Sequence, residues 1–245
     1  MSRAAPFGRA VLAQAAVEAR LTLRRGENLL AMIGLPVAAL ALFGTLGLAG
    51  GRSLESLVPG VLALALVASG LVNLGIATGF ERGYGVLKRL GGSPLGRDGL
   101  IGAKFAVVAI IAAVQVVALL ALALVIGWRP GLAASPVGVV AAVIVGSATF
   151  ASLGLLIAGT LRAEATLVVA NVLFLGALPL GGVLLPIGEL PSVLQTVALA
   201  SPVGALAEAF RSALSGGAGY PGDLVIVAAW GVAAALLTLR TFRWD

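Results

Sequence analysis

Residues 79–104 read GFERGYGVLKRLGGSPLGRDGLIGAK and lie between two long apolar runs. This stretch contains seven of the chain's 26 charged residues: Glu81, Arg82, Lys88, Arg89, Arg97, Asp98 and Lys104. Charged groups are rare inside a bilayer because transferring them to hydrocarbon is costly. The pattern therefore predicts an aqueous loop over residues 80–104. It is the largest polar surface on one side of the protein, where a soluble partner would bind.

The composition is that of an integral membrane protein. Sixty per cent of the residues are hydrophobic, 11% are charged and the mean hydropathy is +1.12. The net charge of +6 fits basic cytoplasmic loops, and basic residues do not interleave with aromatic ones as single-strand nucleic-acid binding requires. The chain has no cysteine and no histidine, which excludes disulfides, the usual zinc sites and Ser/His/Asp triads. We therefore predict no enzyme and no metal site.

Apolar runs predict six transmembrane helices, at residues 29–49, 57–80, 105–127, 135–160, 165–187 and 224–242. Residues 188–223 are also apolar, but Pro191 and Pro202 divide them into segments 190–200 and 203–214. About a dozen helical residues reach roughly 18 Å, well short of the ~30 Å hydrocarbon core. We expect two short helices that re-enter the outer leaflet. The predicted fold is an all-α, six-span membrane protein.

Residues 1–28 form a separate N-terminal region before the transmembrane domain at 29–242. Arg9, Arg20 and Arg24 fall on one side of a helical wheel and small apolar residues lie elsewhere on it. This pattern predicts an amphipathic helix at the cytoplasmic surface of the membrane. A loosely ordered basic leader is the alternative.

The distribution of basic residues predicts the orientation. With six spans, thirteen of the sixteen Lys and Arg residues fall on one side, and Arg52, Arg129 and Arg211 fall on the other. Because cytoplasmic loops carry the excess of Lys and Arg, both termini and residues 80–104 are expected in the cytoplasm. The predicted location is a plasma membrane of the bacterial type.

No Asp, Glu, Lys or Arg lies near the middle of any predicted span, which argues against an ion-coupled carrier. Asn73, Gln115 and Asn171 are the polar side chains left there. Together with Pro179 they are candidates for a substrate pathway. The alternative is that they form hydrogen bonds between helices, worth about 0.6 kcal/mol each. No phosphate-binding loop of the form G-x-x-x-x-G-K-[ST] is present, so this chain is not expected to bind ATP through one.

Residues 81–90, followed by Ser93, Pro94 and Leu95, resemble the cytoplasmic signature of ABC type-2 transporter permeases: a Glu-Arg pair, Gly-x-Leu, a further Leu and then Pro. Residues 190–211 resemble the Leu-Pro, Pro and Glu-x-x-Arg elements of the family's outer loop. The resemblance implies a coupling helix over residues 84–90, ended by Pro94, that contacts a separate ATPase subunit. The implied contact residues are Glu81, Arg82, Tyr84, Gly85, Leu87, Lys88, Leu90 and Pro94.

The spacing of Tyr84, Leu87 and Leu90 is itself compatible with one face of a short helix. A solvated basic loop that contacts only anionic lipid is the alternative. The resemblance also implies an outer gate in the short helices, for which the candidates are Pro186, Pro191, Leu194 and Pro202.

These observations predict the membrane subunit of an ATP-driven exporter for a hydrophobic or amphipathic cargo, such as a drug or a lipid. The expected partners are an ATPase subunit and a second permease, either another copy of this chain or a related one. ATP and Mg²⁺ would be bound by the partner, and no cofactor by this chain. A non-transporting membrane scaffold or assembly factor is the alternative, and a secondary carrier is disfavoured by the missing charges.

Overall fold

The computed structural model describes residues 7–24, 33–45, 53–92 and 95–243. These ranges consist of helices and turns, with no β-strand among them. In chain order the helices are α1 (Phe7–Arg24), α2 (Leu35–Thr45), α3 (Leu54–Gly83), α4 (Val86–Gly91), α5 (Gly96–Val125), α6 (Pro136–Thr160), α7 (Ala163–Leu180), α8 (Ser192–Ala200), α9 (Pro202–Ser215) and α10 (Tyr220–Thr241). A 3₁₀ turn at Ile187–Glu189 precedes α8. The predicted all-α fold is confirmed.

Five helices in the described part of the chain are long and apolar enough to cross a membrane: α3, α5, α6, α7 and α10. Helices α8 and α9 meet at an angle of 83°, and the count reaches six if this bent pair is one span. The predicted first span, 29–49, lies partly outside the described residues, which contain residues 33–45 of it, including α2. The five later spans predicted from sequence are all present as helices of sufficient length and apolarity.

Helix α3 forms the centre of the bundle. Every residue from Leu57 to Leu71 is buried, and the helix packs against α5, α6, α7 and α9. A helix that is apolar on all sides is expected to be surrounded by protein or lipid. Residues Val67–Leu74 adopt the wider π-helical conformation in the middle of α3. No sequence pattern predicted this π segment.

Glycines allow α3 and α6 to approach closely. The backbone of Gly70 lies against Phe150 and Ala151, and a Cβ atom at Gly154 would overlap the carbonyl oxygen of Gly70. Small residues in membrane helices commonly serve this purpose, because they bring two backbones into van der Waals contact. The small residues of the predicted fourth span therefore have a packing role on the side that faces α3.

Several helix boundaries differ from the prediction. The second span was predicted to end at residue 80 and the third to begin at residue 105, but α3 continues to Gly83 and α5 begins at Gly96. The fifth span was predicted to reach residue 187, but α7 ends at Leu180. Gly182, with a φ of +73°, turns the chain there in a conformation that side chains rarely adopt.

Two short helices, α8 and α9, lie before the last span at the predicted positions, and their re-entry into the outer leaflet stays a prediction. Helix α9 begins after Ser201, whose Oγ accepts a hydrogen bond from the Gly204 N–H at 3.1 Å, and Pro202 occupies its first turn. It ends at Gly216, which has a φ of +86°.

We predict that Gly154→Ala lowers the stability of the bundle by about 1–3 kcal/mol, because the new methyl group meets backbone that cannot move aside. Gly176→Ala is the matched control, since a Cβ there has no atom within 4 Å. Thermal unfolding in detergent should show a lower midpoint for Gly154→Ala and an unchanged or higher one for Gly176→Ala. Equal midpoints for the two variants would contradict the close contact between α3 and α6.

Candidate functional site

The charged segment forms a short helical hairpin. Helix α3 ends at Gly83, and Gly85 adopts the left-handed conformation with a φ of +68° before α4 begins. Glycine is suited to this position because it has no Cβ to clash with the backbone. A helix is therefore present close to the predicted residues 84–90. Pro94, predicted to end it, lies outside the described residues.

Helix α4 has one buried and one exposed side. Leu87 is only 1% exposed, whereas Tyr84, in the turn before the helix, is 71% exposed. Lys88 and Arg89 are exposed, and Leu90 is half-buried. The predicted contact residues therefore divide into two groups. Leu87 fastens α4 to the bundle, while Tyr84, Lys88 and Arg89 form an exposed basic surface, which we call the α4 surface.

Glu81 is bound within the protein by a buried lysine. Lys104 Nζ lies 2.7 Å from Glu81 Oε2 and 3.7 Å from Glu18 Oε2. The Lys104 side chain is only 4% exposed, so its charge depends on these carboxylates for stabilisation. Because Glu18 belongs to α1, Glu81 to α3 and Lys104 to α5, this cluster joins three helices.

The same contact region contains an apolar interface between α1 and α5. Ala15 of α1 packs with Ala103 and Val107 of α5, and all three are buried. The predicted N-terminal helix is thus present, at Phe7–Arg24, and one side of it lies against the third predicted span. Arg9 and Arg20 are exposed on this helix.

Burial raises the pKa of the Glu18 carboxyl above its ordinary value of 4.5. The Lys104 ammonium and a hydrogen bond from Gln14 Nε2, at 3.0 Å, act in the opposite direction, and the nearby Glu81 carboxylate adds to the increase. The two carboxylates are therefore not equivalent. Glu81 makes the short contact with Lys104, and Glu18 sits in an environment that favours its protonated form.

Arg82 closes the end of another helix. Its Nη1 donates to the Gly159 carbonyl at 2.7 Å, and its Nη2 donates to the Leu161 carbonyl. These carbonyls belong to the end of α6, where backbone acceptors lack partners within the helix. The Arg243 N–H also donates to the Gly159 carbonyl, at 3.1 Å. Arg82 thus fixes the end of α3 to α6.

The four pathway candidates lie in different surroundings. Gln115 is buried in α5 and Asn73 is half-buried in the π segment of α3. Asn171 is exposed, and its Nδ2 donates to the Leu167 carbonyl of its own helix at 2.8 Å. Pro179 lies in the last turn of α7. No hydrogen bond between these four joins them within the described residues, and their role as a pathway stays a prediction.

The gate candidates all lie at the ends of the short helices or on them. Pro186 precedes the 3₁₀ turn, Pro191 precedes α8, Leu194 is exposed on α8 and Pro202 begins α9. Trp230 of α10, which sequence analysis missed, donates from Nε1 to the Ala200 carbonyl at 2.9 Å. This bond attaches the bend between α8 and α9 to the last span.

Sequence analysis also missed Glu18 and Gly159 as parts of this site. A signal for Lys104 existed, because it is followed at once by the apolar residues of the third predicted span. A lysine at that position needs a partner. Nothing in the sequence identified the partner, because Glu18 and Glu81 are distant from it along the chain.

We predict that Glu81→Gln destabilises the protein by about 1–3 kcal/mol, because it removes the short charged hydrogen bond of a buried ammonium. Glu18→Gln is the matched variant. It should change stability by less than about 1 kcal/mol, because it removes a poorly solvated carboxyl and keeps an acceptor for Gln14. Thermal unfolding in detergent measures both. A larger loss for Glu18→Gln would reverse the assignment of the main partner.

We also predict that attachment of α1 weakens as the pH rises. The pKa of Glu18 is higher in the folded protein than its ordinary value of 4.5, so its stabilising contribution is fully present below about pH 4.5 and is lost as the pH rises through the folded pKa. The groups facing Glu18 are Gln14 on α1, Glu81 on α3 and Lys104 on α5.

A single cysteine can report this pH effect, since the chain has none of its own. Maleimide labelling of Ala15→Cys, a buried position, should speed up between pH 5 and pH 8 relative to labelling of the exposed Ala13→Cys. The same ratio should stay constant in the Glu18→Gln background. A constant ratio in both backgrounds would contradict the role of Glu18.

The sequence matches a known family of membrane proteins. Residues 10–215 match the family model described as ABC-2 type transporter, which covers most of the chain from α1 to the end of α9. No curated protein matches the sequence significantly. Five to six candidate spans agree with a multi-pass membrane component. The chain therefore belongs to the ABC-2 type transporter family, as a membrane permease.

Proposed function

We propose that this permease is the membrane subunit of an ATP-driven exporter and that a separate ATPase subunit docks on the α4 surface. The observation that carries the proposal is the division of α4. Tyr84, Lys88 and Arg89 are exposed, whereas Leu87 is buried. A helix built in this way can receive a partner on one side and remain attached to the bundle on the other.

The residues around α4 would pass a displacement to several spans at once. The Lys104 contacts join the end of α3 to α1 and α5, and Arg82 joins it to α6. Glu81 and Arg82, which the resemblance assigned to the ATPase contact, thus have partners inside the permease. We propose that they act as positioning residues. The direct contacts then come from Tyr84, Lys88 and Arg89.

In this mechanism, ATP binding draws two ATPase subunits together and moves the α4 surface of each permease. The movement changes the relative stability of the inward-open and outward-open states, which is the only way in which binding energy can shift such an equilibrium. The proposed orientation places α4 in the cytoplasm and the bend between α8 and α9 at the outer side. Pro186, Pro191, Leu194 and Pro202 would belong to the outer gate.

A hydrophobic or amphipathic cargo is supported by the distribution of charge. In the described spans, charged residues lie only in the first and last turns or close to them, as Glu55, Glu81, Lys104, Glu164 and Arg240 illustrate. A dimer is proposed from membership of the family. Helices α7 and α10 both leave most of their apolar span unburied within this chain, so either is available to a second permease as well as to lipid. The exposed residues of α7 include Val168, Val172 and Leu175.

We predict that the double variant Lys88→Glu/Arg89→Glu lowers the amount of ATPase subunit that co-purifies by about tenfold or more. Lys88→Glu should change folding stability by less than about 0.5 kcal/mol, because the side chain is exposed. Arg89 is also exposed but donates to the Tyr84 and Gly85 carbonyls at 3.2 and 3.4 Å, so Arg89→Glu is expected to cost up to about 1 kcal/mol. Arg162→Glu is the matched control, because this exposed arginine precedes α7, where an acidic residue suits a helix N-terminus. Purification of the tagged protein from its native membrane, with mass spectrometry of stoichiometric partners, gives the readout.

Leu87→Asp tests the attachment of α4 to the bundle. It should lower both the stability of the protein and the co-purification of the ATPase, whereas Lys88→Glu/Arg89→Glu should lower mainly the co-purification. Undiminished co-purification of Lys88→Glu/Arg89→Glu would sink the α4 docking proposal. Purification without any ATPase, under conditions that preserve such complexes, would favour the scaffold or assembly factor. ATP-driven uptake of an amphiphilic dye into inside-out vesicles tests the direction of transport.

A further inference from the structure

A second polar site lies at the opposite end of α3 from Glu81. It is a cavity of about 620 Å³ between the beginning of α3, the segment after α5 and the end of α9. This volume lies in the range of small-molecule sites, about 300–1,000 Å³. Pro59, Trp128 and Leu214 supply apolar walls, and Arg129, Arg211 and Glu55 supply charges.

Both arginines in the cavity are held in place by some of their nitrogens. Arg129 Nη1 donates to the carbonyls of Leu124 and Trp128, at 2.8 and 2.9 Å. Arg211 Nε donates to the Glu208 carboxylate at 3.0 Å, and its Nη1 donates to the Glu55 carbonyl at 3.4 Å.

In each arginine, Nη2 makes no hydrogen bond to the described part of the chain. Each side chain therefore keeps donors for a ligand while its position is already fixed, which lowers the entropic cost of binding. Guanidinium groups match the geometry of phosphate oxygens and can donate two parallel hydrogen bonds to them. Arg129 can donate such a pair, because only its Nη1 is engaged by the described residues, whereas Arg211 is already paired with the Glu208 carboxylate and adds Nη2 alone. The site thus favours a phosphate group, with Arg129 as its main partner.

The third charge in the lining narrows the class of ligand. Glu55 is exposed and carries the opposite sign to the two arginines. The Glu208 carboxylate is engaged by Arg211 Nε, so Glu55 is the acidic lining residue left to meet a cation. A ligand with both a phosphate and an ammonium group satisfies all three residues. A purely anionic ligand leaves Glu55 without a counter-charge.

Exposed apolar side chains lie in the cavity lining and in the helical turns that flank it along the chain. The side chain of Leu132, in the cavity lining, is fully exposed. Val125, in the last turn of α5, and Val137, in the first turn of α6, are largely exposed. Such a surface suits hydrocarbon, and the Trp128-Arg129 pair is typical of a membrane interface. The ligand is therefore expected to have acyl chains as well as a charged headgroup.

We propose that this cavity binds the headgroup of a zwitterionic phospholipid, for which phosphatidylethanolamine serves as the probe. The phosphate lies against Arg129 and Arg211, the ammonium group lies against Glu55, and the acyl chains extend over the apolar margin near Leu132. The site is independent of the α4 surface, and it requires neither export nor an ATPase.

Native mass spectrometry of the delipidated protein, with any subunits that co-purify, tests the proposal. The protein is titrated with phosphatidylethanolamine, phosphatidylglycerol and diacylglycerol that carry identical acyl chains. Phosphatidylethanolamine should bind at least fivefold more tightly than phosphatidylglycerol, and diacylglycerol should bind weakest. Arg129→Gln should weaken binding of both phospholipids by about tenfold. Arg240→Gln, an exposed arginine at the other end of the bundle, should change nothing.

Glu55→Gln gives a result that misfolding cannot imitate. It replaces an exposed side chain, and it should abolish the preference for phosphatidylethanolamine while leaving the affinity for phosphatidylglycerol equal or higher. Three results would overturn the proposal. These are equal affinity of wild type and Arg129→Gln for phosphatidylethanolamine, a preference for phosphatidylglycerol in the wild type, and inorganic phosphate that binds as tightly as the lipid in an Arg129-dependent manner.

Discussion

The burial of α3 is the constraint on which the other helices depend. Most of its apolar length is covered by protein rather than left for lipid, so α5, α6, α7 and α9 must pack around it. Close approach is possible because Gly70 and Gly154 let the backbones of α3 and α6 touch. In a membrane, where lipid and side chains are similarly apolar, such packing replaces the hydrophobic effect as the source of helix association.

Because α3 is buried along most of its length, its polar contacts lie at its two ends. At one end, Glu81 and Arg82 join α3 to α1, α5 and α6. At the other end, Glu55 and Pro59 line the cavity that also contains Arg129 and Arg211. The two ends are about 45 Å apart along a helix of 30 residues. A displacement of α3 along its axis would therefore be felt on both sides of the membrane.

The π segment Val67–Leu74 lies between these two ends, where α3 crosses α6. Such segments are often found at functional positions, since the wider turn disturbs the regular hydrogen-bond ladder. Asn73 lies in it, which places one of the pathway candidates on the irregular part of the central helix. Its position in the π segment supports Asn73 as a pathway candidate more strongly than its residue type alone does.

The sequence by itself determined the class of fold, the spans after residue 53 and the two short helices before the last span. Each of these follows from local apolar length and from the positions of proline and glycine, which act on the residues beside them. It also revealed the charged segment and its resemblance to a transporter signature, because these are contiguous in the chain.

Only the tertiary structure decided which charges are exposed. Glu81 and Lys88 are both charged residues of the same segment, and nothing in the sequence predicts that their surroundings differ. In the structure, Glu81 forms an ion pair with Lys104 of another helix, whereas Lys88 remains exposed. The same holds for the cavity, whose residues Glu55, Arg129 and Arg211 come from three distant parts of the chain. Contacts of this kind depend on how the helices pack, and helix packing is set by pairs of surfaces that no local pattern specifies.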